Sequence, residues 1–160
     1  MKKKPAILIA EDDAGHFELI KRNLWLHCVD REILNFRDGQ EVLDFLFKNT
    51  AGAEHKENRC YLLLLDIRMP KVDGREVLQR IKEDEKLRKI PVIMLTTTDE
   101  AEEIERCYQM GCSFYMVKPV DYNKFMKAVE NLGAFLSLDG VRVPPVDGDT
   151  KECSGEEANL

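Results

Sequence analysis

The chain has 160 residues, 44% of them hydrophobic and 34% charged, which describes an ordinary globular chain long enough for one domain with a substantial core. A net charge of −6 without a basic stripe argues against nonspecific binding to nucleic acid or to an anionic membrane surface. Lys2-Lys3-Lys4 would suit a secretory leader, but Pro5 and then Glu11-Asp12-Asp13 cut the apolar stretch short, and no run approaches the ~18 apolar residues of a membrane span.

Strand and helix patterns alternate along the chain. Ala6–Ala10 predicts a first strand, and Glu11-Asp12-Asp13 follow it directly. Phe17, Ile20 and Leu24 then form the apolar stripe of a helix. Asp13 stands where a cap for that helix belongs, ahead of Ala14, and His16 reads as a polar residue at the helix start. Glu32–Phe36 predicts the second strand, and Val42, Leu43 and Leu46 the second helix. Lys48–Cys60 is long and polar for a helix–strand connection and predicts a mobile surface loop. Tyr61–Leu65 lacks polar alternation, as a strand covered on both faces should, and Asp66 follows it. Val77, Leu78 and Ile81 mark the third helix.

Pro91–Leu95 predicts the fourth strand, with Thr96 just beyond it, and Ile104 and Cys107 mark the fourth helix. Ser113–Val117 predicts the fifth strand, with Lys118 just beyond, and Phe125, Val129, Leu132 and Leu136 line the last helix. The domain is expected over residues 5–138, with an acidic tail over 139–160. Its Pro144–Leu160 stretch, nearly free of large apolar residues, predicts disorder. Cys28, Cys60, Cys107, Cys112 and Cys153 are odd in number and lack C-x-x-C spacing, so thiols are expected rather than a disulfide framework or a zinc site. His16, His27 and His55 show no ligand spacing.

Alternation of this kind implies right-handed crossovers and an α/β fold. The expected form is a doubly wound, five-stranded parallel sheet in the flavodoxin-like order 2-1-3-4-5, in three α/β/α layers. In an open parallel sheet, residues just past the carboxyl ends of the strands converge on one crevice. Glu11, Asp12, Asp66, Thr96 and Lys118 all hold that position. Carboxylates so gathered repel one another, and a hard divalent cation relieves the repulsion. Mg²⁺ suits them best, because it is held by one or two carboxylates together with waters and a phosphate oxygen. Asp66 is placed to attack phosphorus and form an acyl phosphate, with Lys118 and Thr96 neutralising and bonding the phosphoryl group.

The runs Ile7-Leu8-Ile9-Ala10-Glu11-Asp12-Asp13, Leu65-Asp66-Ile67-Arg68-Met69-Pro70 with Asp73-Gly74, Pro91 to Thr96, and Lys118-Pro119 together resemble the receiver domain of two-component response regulators. The likeness covers about residues 6–136. The loop at Lys48–Cys60, the run Cys107-Tyr108-Gln109-Met110-Gly111 and the ending Lys118-Pro119-Val120-Asp121 resemble more narrowly the single-domain regulators that partner bacterial phytochromes and related PAS-containing kinases.

That resemblance implies a cytoplasmic, stand-alone phosphoacceptor module rather than an enzyme with an external substrate. It would catalyse only its own phosphorylation and dephosphorylation, and it would have no DNA-binding domain. Asp66 would take the phosphoryl group from a sensor histidine kinase of phytochrome or PAS type. Asp12, Asp66 and the main-chain carbonyl of Arg68 would hold Mg²⁺, with Glu11 acting through water. Lys118 would pair with Asp66, Thr96 would bond the phosphoryl group, and Tyr115 would turn inward as Thr96 moves. A cis Lys118–Pro119 peptide is expected, because the turn must swing Lys118 back into the crevice directly after the fifth strand and only an X-Pro bond makes cis inexpensive. Output is expected through the face of the fourth helix, fifth strand and fifth helix. We expect a two-fold homodimer on that face, where Cys107, Tyr108, Tyr115, Phe135 and Leu136 offer apolar groups. Arg68 stands where receivers often carry Asn, and Thr97-Thr98 follow Thr96, so the lifetime of the acyl phosphate does not carry over.

Two other classes share parts of this pattern. An aspartyl phosphatase of haloacid-dehalogenase type wants a second Asp two residues after the nucleophile, where Arg68 stands. A flavodoxin-like FMN carrier wants a hydroxyl- and Gly-rich first loop, where Glu11-Asp12-Asp13 would repel a phosphate.

Overall fold

The structure is a computed structural model that describes residues 5–27, 31–51, 60–137 and 143–146. Strands β1 (Ala6–Ala10), β2 (Ile33–Phe36), β3 (Tyr61–Leu65), β4 (Val92–Thr96) and β5 (Phe114–Val117) alternate with helices α1 (Ala14–His27), α2 (Gly39–Ala51), α3 (Gly74–Glu83), α4 (Ala101–Met110) and α5 (Tyr122–Leu136). All pairings are parallel and the sheet order is β2-β1-β3-β4-β5, the expected doubly wound topology.

Each strand residue points to the opposite face from its neighbour, and the apolar runs use both faces. Ile7, Ile9, Leu62, Leu64, Ile93 and Leu95 pack with Ile20 and Leu24 of α1 and with Phe125, Val129, Leu132 and Leu136 of α5. Leu8, Ala10, Leu63, Leu65, Val92 and Met94 pack with α2, α3 and α4 through Val42, Leu43, Leu46, Val77, Leu78, Ile81 and Cys107. The unbroken apolar run of β3 is therefore the central strand, buried at all five positions.

Strand ends differ from expectation by one residue at β2, β4 and β5. Pro91 has no N–H for the ladder, so β4 begins at Val92 and takes in Thr96 as its last residue. Helix α2 runs to Ala51, so Lys48 to Ala51 are helical, and 52–59, the rest of the predicted loop, lie outside the described residues. Within the predicted tail, Val143, Pro145 and Val146 are buried rather than solvated. Val146 joins the α2–α4 side of the core and Val143 packs with Cys60. Residues 138–142 and 147–160 lie outside the described residues. Cys107 and Cys112 are free and buried, but Cys60 is disulfide-bonded, contrary to the expectation of thiols throughout. Among the described residues, no helix is long and apolar enough to cross a membrane.

Glycine is required where α3 meets β3. A Cβ on Gly74 would lie 2.1 Å from the Asp66 carbonyl oxygen and 2.8 Å from the Ile67 Cα, while the Gly74 N–H donates to the Ile67 carbonyl at 2.7 Å. This close approach clamps the backbone that carries Asp66. Gly74→Ala is expected to destabilise the fold by about 1–3 kcal/mol, read as a lower urea midpoint at unchanged slope.

Candidate functional site

The register of β1 on β3 pairs Ala10 with Leu65, so the residues that follow each strand emerge side by side. The Asp66 N–H donates to the Ala10 carbonyl at 3.1 Å, and the Glu11 N–H donates to the Phe36 carbonyl at 2.9 Å. From the β2 edge, the Asn35 amide donates to the Ile9 carbonyl at 3.2 Å and braces the turn into Glu11. Asp13 caps α1 as expected, its carboxylate accepting the His16 N–H at 3.0 Å. After Asp66 the chain turns tightly. The Val72 N–H reaches the Pro70 carbonyl at 2.8 Å, with Lys71 in the left-handed region at φ 67°. Asp73 then caps α3 by accepting the Glu76 N–H at 3.0 Å.

The crevice gathers the predicted residues. Ligand atoms of Glu11, Asp12 and Asp66 lie within 4.8 Å of one another, with Glu11 and Asp66 buried and Asp12 exposed. The Lys118 ammonium, only 5% exposed, donates to Glu11 Oε2 and to Asp66 Oδ2, the latter at 2.9 Å. The other Asp66 oxygen accepts the Arg68 N–H at 3.4 Å. Thr96 is fully buried, and its Oγ1 finds no hydrogen-bond partner among the described residues. An orphaned hydroxyl at the end of β4, on the residue whose carbonyl takes the Lys118 N–H, is a donor waiting for an acceptor.

Charge is unevenly balanced here. Burial pushes the Glu11 carboxyl up to about 7, and the Asp66 charge adds to the rise while Lys118 opposes it. Three carboxylate oxygens this close, with one carboxyl reluctant to ionise, match the hard oxygen donor set of a small divalent cation.

Glu11 therefore holds its proton more tightly folded than unfolded. The stability this contributes is full below the ordinary Glu range and is lost as pH rises through about 7. A cation needs the ionised form. The Tm gain of Mg²⁺ over chelator is therefore expected to grow from about pH 5 to about pH 8, measured by thermal unfolding across that range.

The structure corrects one predicted feature. None of the described peptide bonds is cis, so Lys118–Pro119 is trans. The Lys118 N–H donates to the Thr96 carbonyl at 2.7 Å, which continues the β4–β5 ladder, and the side chain already reaches Glu11 and Asp66 from there. Nothing then offsets the ordinary preference for trans.

Beyond the crevice, Tyr115 is half-buried. Its hydroxyl donates to the Thr98 carbonyl at 2.7 Å, and burial pushes its pKa up to about 12. Its own N–H donates to the Tyr108 hydroxyl at 3.1 Å. Arg75 of α3 meets Glu103 of α4 at 3.4 Å across a pocket of about 500 Å³ that also includes Asp12, Arg68 and Thr98. Of the apolar groups expected on the α4–β5–α5 face, Cys107 and Leu136 are core, while Tyr108 and Phe135 are exposed, joined by Val117 and Tyr122. Sequence reasoning missed the Thr98 carbonyl, the Arg75–Glu103 pair and the contact of His16 with Lys118. Of these, only His16, on the turn after Asp12, left a signal in the sequence.

Comparison with known proteins agrees with this geometry. The family described as response regulator receiver domain matches residues 7–130. Response regulator Rcp1 of Synechocystis sp. is 33% identical over 138 residues, 86% of this chain and 92% of that protein. Its Mn²⁺-bound crystal structure superposes with a TM-score of 0.77 at 32% identity, covering 88% of this chain and 99% of that one. A response regulator receiver domain from Rhodospirillum rubrum gives a TM-score of 0.81 at 39% identity, covering 89% and 99%. The phosphorylated cyanobacterial phytochrome response regulator RcpA gives 0.74 at 31% identity, covering 84% and 94%.

Proposed function

The chain belongs to the response regulator receiver domain family, and from that premise we propose that it accepts a phosphoryl group on Asp66 from the phosphohistidine of a sensor kinase. The observation that carries this reading is the Lys118 ammonium bridging Glu11 and Asp66 at the strand ends, where Thr96 also keeps a buried, unpartnered hydroxyl. An Asp66 carboxylate oxygen attacks phosphorus. A P–O bond forms as the P–N bond to the donor imidazole breaks, and the imidazole nitrogen keeps the bonding electrons. Lys118 passes from the carboxylate to a phosphoryl oxygen, and Thr96 Oγ1 donates to another. Asp12, Asp66 and the main-chain carbonyl of Arg68 would hold Mg²⁺, with Glu11 reaching it through water. Bound there, the ion supplies neutralising charge for the phosphoryl oxygens. The protein is a phosphoacceptor and turns over no external substrate.

A phytochrome- or PAS-type histidine kinase is the proposed donor, on the likeness to Rcp1 and RcpA. Output runs through Thr96, Thr98 and Tyr115 to the α4–β5–α5 face. There the exposed Tyr108, Val117, Tyr122 and Phe135 suit a self-complementary homodimer. Acetyl phosphate is expected to label the wild-type chain in Mg²⁺ and not in chelator, and the protein is expected to leave phosphate monoesters intact. Labelling that is equal with and without a divalent ion, or steady turnover of monoesters, would overturn the reading.

A further inference from the structure

Lys118 presents three N–H donors, and at 5% exposure none of them has ready access to water. Glu11 Oε2 and Asp66 Oδ2 accept two. The next polar atom at the ammonium is Nδ1 of His16, 3.4 Å away. We propose that His16 is a positioning residue for Lys118, its neutral imidazole accepting the third N–H through Nδ1.

The ring is built into its place. Its backbone N–H is held by the Asp13 cap at 3.0 Å, which fixes the first turn of α1. The ring sits tilted against Phe125 of α5, with ring centroids 5.7 Å apart. Helices α1 and α5 thus hold the imidazole between them on the wall of the crevice. The alternative partner for Nδ1, Glu11 Oε1, is 3.8 Å away, beyond hydrogen-bond reach. Geometry therefore puts the lone pair on Nδ1 and the proton on Nε2.

A neutral acceptor suits this position. A second cation would compete with Lys118 for Glu11, and an apolar residue would leave one ammonium hydrogen unpaired in a buried site. On the reading that Asp66 is the phosphoacceptor, Lys118 must move from a carboxylate oxygen to a phosphoryl oxygen. Its contact with His16 anchors the ammonium on the α1–α5 side while its other hydrogens exchange partners.

Two measurements test this, one of which needs no phosphorylation. Long-range ¹H–¹⁵N NMR of the imidazole in the Mg²⁺-loaded protein at about pH 8 should show the Nε2–H form. An Nδ1–H form would overturn the proposal. In acetyl-phosphate labelling, His16→Ala should slow the rate about three- to tenfold, the net worth of one ordinary hydrogen bond. His16→Asn, whose amide oxygen can stand near the place of Nδ1, should recover most of it. An alanine variant as fast as wild type, or an asparagine variant no better than alanine, would overturn the proposal. Were wild type itself not labelled, the phosphoacceptor reading would fall, and the tautomer would still decide the contact.

Discussion

Asp66→Asn is expected to take up no phosphoryl group from acetyl phosphate or from a kinase, a loss of at least about a thousandfold in labelling rate. The amide keeps the shape of the carboxylate but supplies no nucleophilic oxygen. Its neighbours are not expected to substitute for it. Glu11 is engaged by Lys118, and Asp12 stands in the open with no ammonium on it among the described contacts. The variant should still fold, because Lys118 keeps Glu11 as a partner and relief of the carboxylate repulsion offsets part of the lost ion pair. Intact-mass measurement after incubation with acetyl phosphate and Mg²⁺ reads the result. Label on Asp66→Asn at the wild-type rate would move the phosphoacceptor elsewhere.

Lys118→Met carries the second large effect, on stability as well as on reactivity. Glu11 and Asp66 are 3% and 8% exposed, and Lys118 is the cation between them. Removing it takes away the charge that opposes the rise of the Glu11 carboxyl, so Glu11 takes up a proton. It also leaves the buried Asp66 carboxylate without its cation, a change that costs about 3–5 kcal/mol for a buried pair. In chelator at neutral pH, Tm should fall by about 10 °C. The deficit should shrink at acid pH, where the carboxyls take up protons, and shrink again in Mg²⁺, which replaces part of the lost charge. Labelling in Mg²⁺ should fall about a hundredfold, the usual loss when a group that stabilises developing charge is removed. An unchanged Tm in chelator would mean that the Lys118 ion pairs contribute nothing to the fold.

The order of the strands and the identity of the crevice residues were legible because each depends on one-dimensional pattern. Apolar runs without alternation, such as Tyr61–Leu65, mark strands buried on both faces. In a doubly wound sheet the polar residue after each run must arrive at the same edge. The details that escaped depend on contacts across the fold. The register of Ala10 on Leu65 sets how close Glu11 comes to Asp66, and no local pattern encodes it. The trans Lys118–Pro119 bond follows from the β4–β5 ladder continuing through the Lys118 N–H, a tertiary hydrogen bond.

His16 read as a polar residue at a helix start because its partner is Lys118, 102 positions away. Cys107 and Leu136 looked available for an interface because their helices are amphipathic, yet the stripe that carries them faces the core. Val143 and Val146 sit in a polar, proline-bearing stretch whose composition predicts solvation, yet Val143 is buried with Cys60 and Val146 in the α2–α4 side of the core.

The central claim is that one carboxylate, Asp66, carries the phosphoryl group. Incubating the protein with acetyl phosphate and Mg²⁺, reducing the acyl phosphate with borohydride and mapping the peptides by mass spectrometry tests it most directly. The expected result is one modified residue, Asp66, absent when Mg²⁺ is replaced by chelator. Modification at Glu11, Asp12 or a residue outside the crevice, with Asp66 intact, would contradict it.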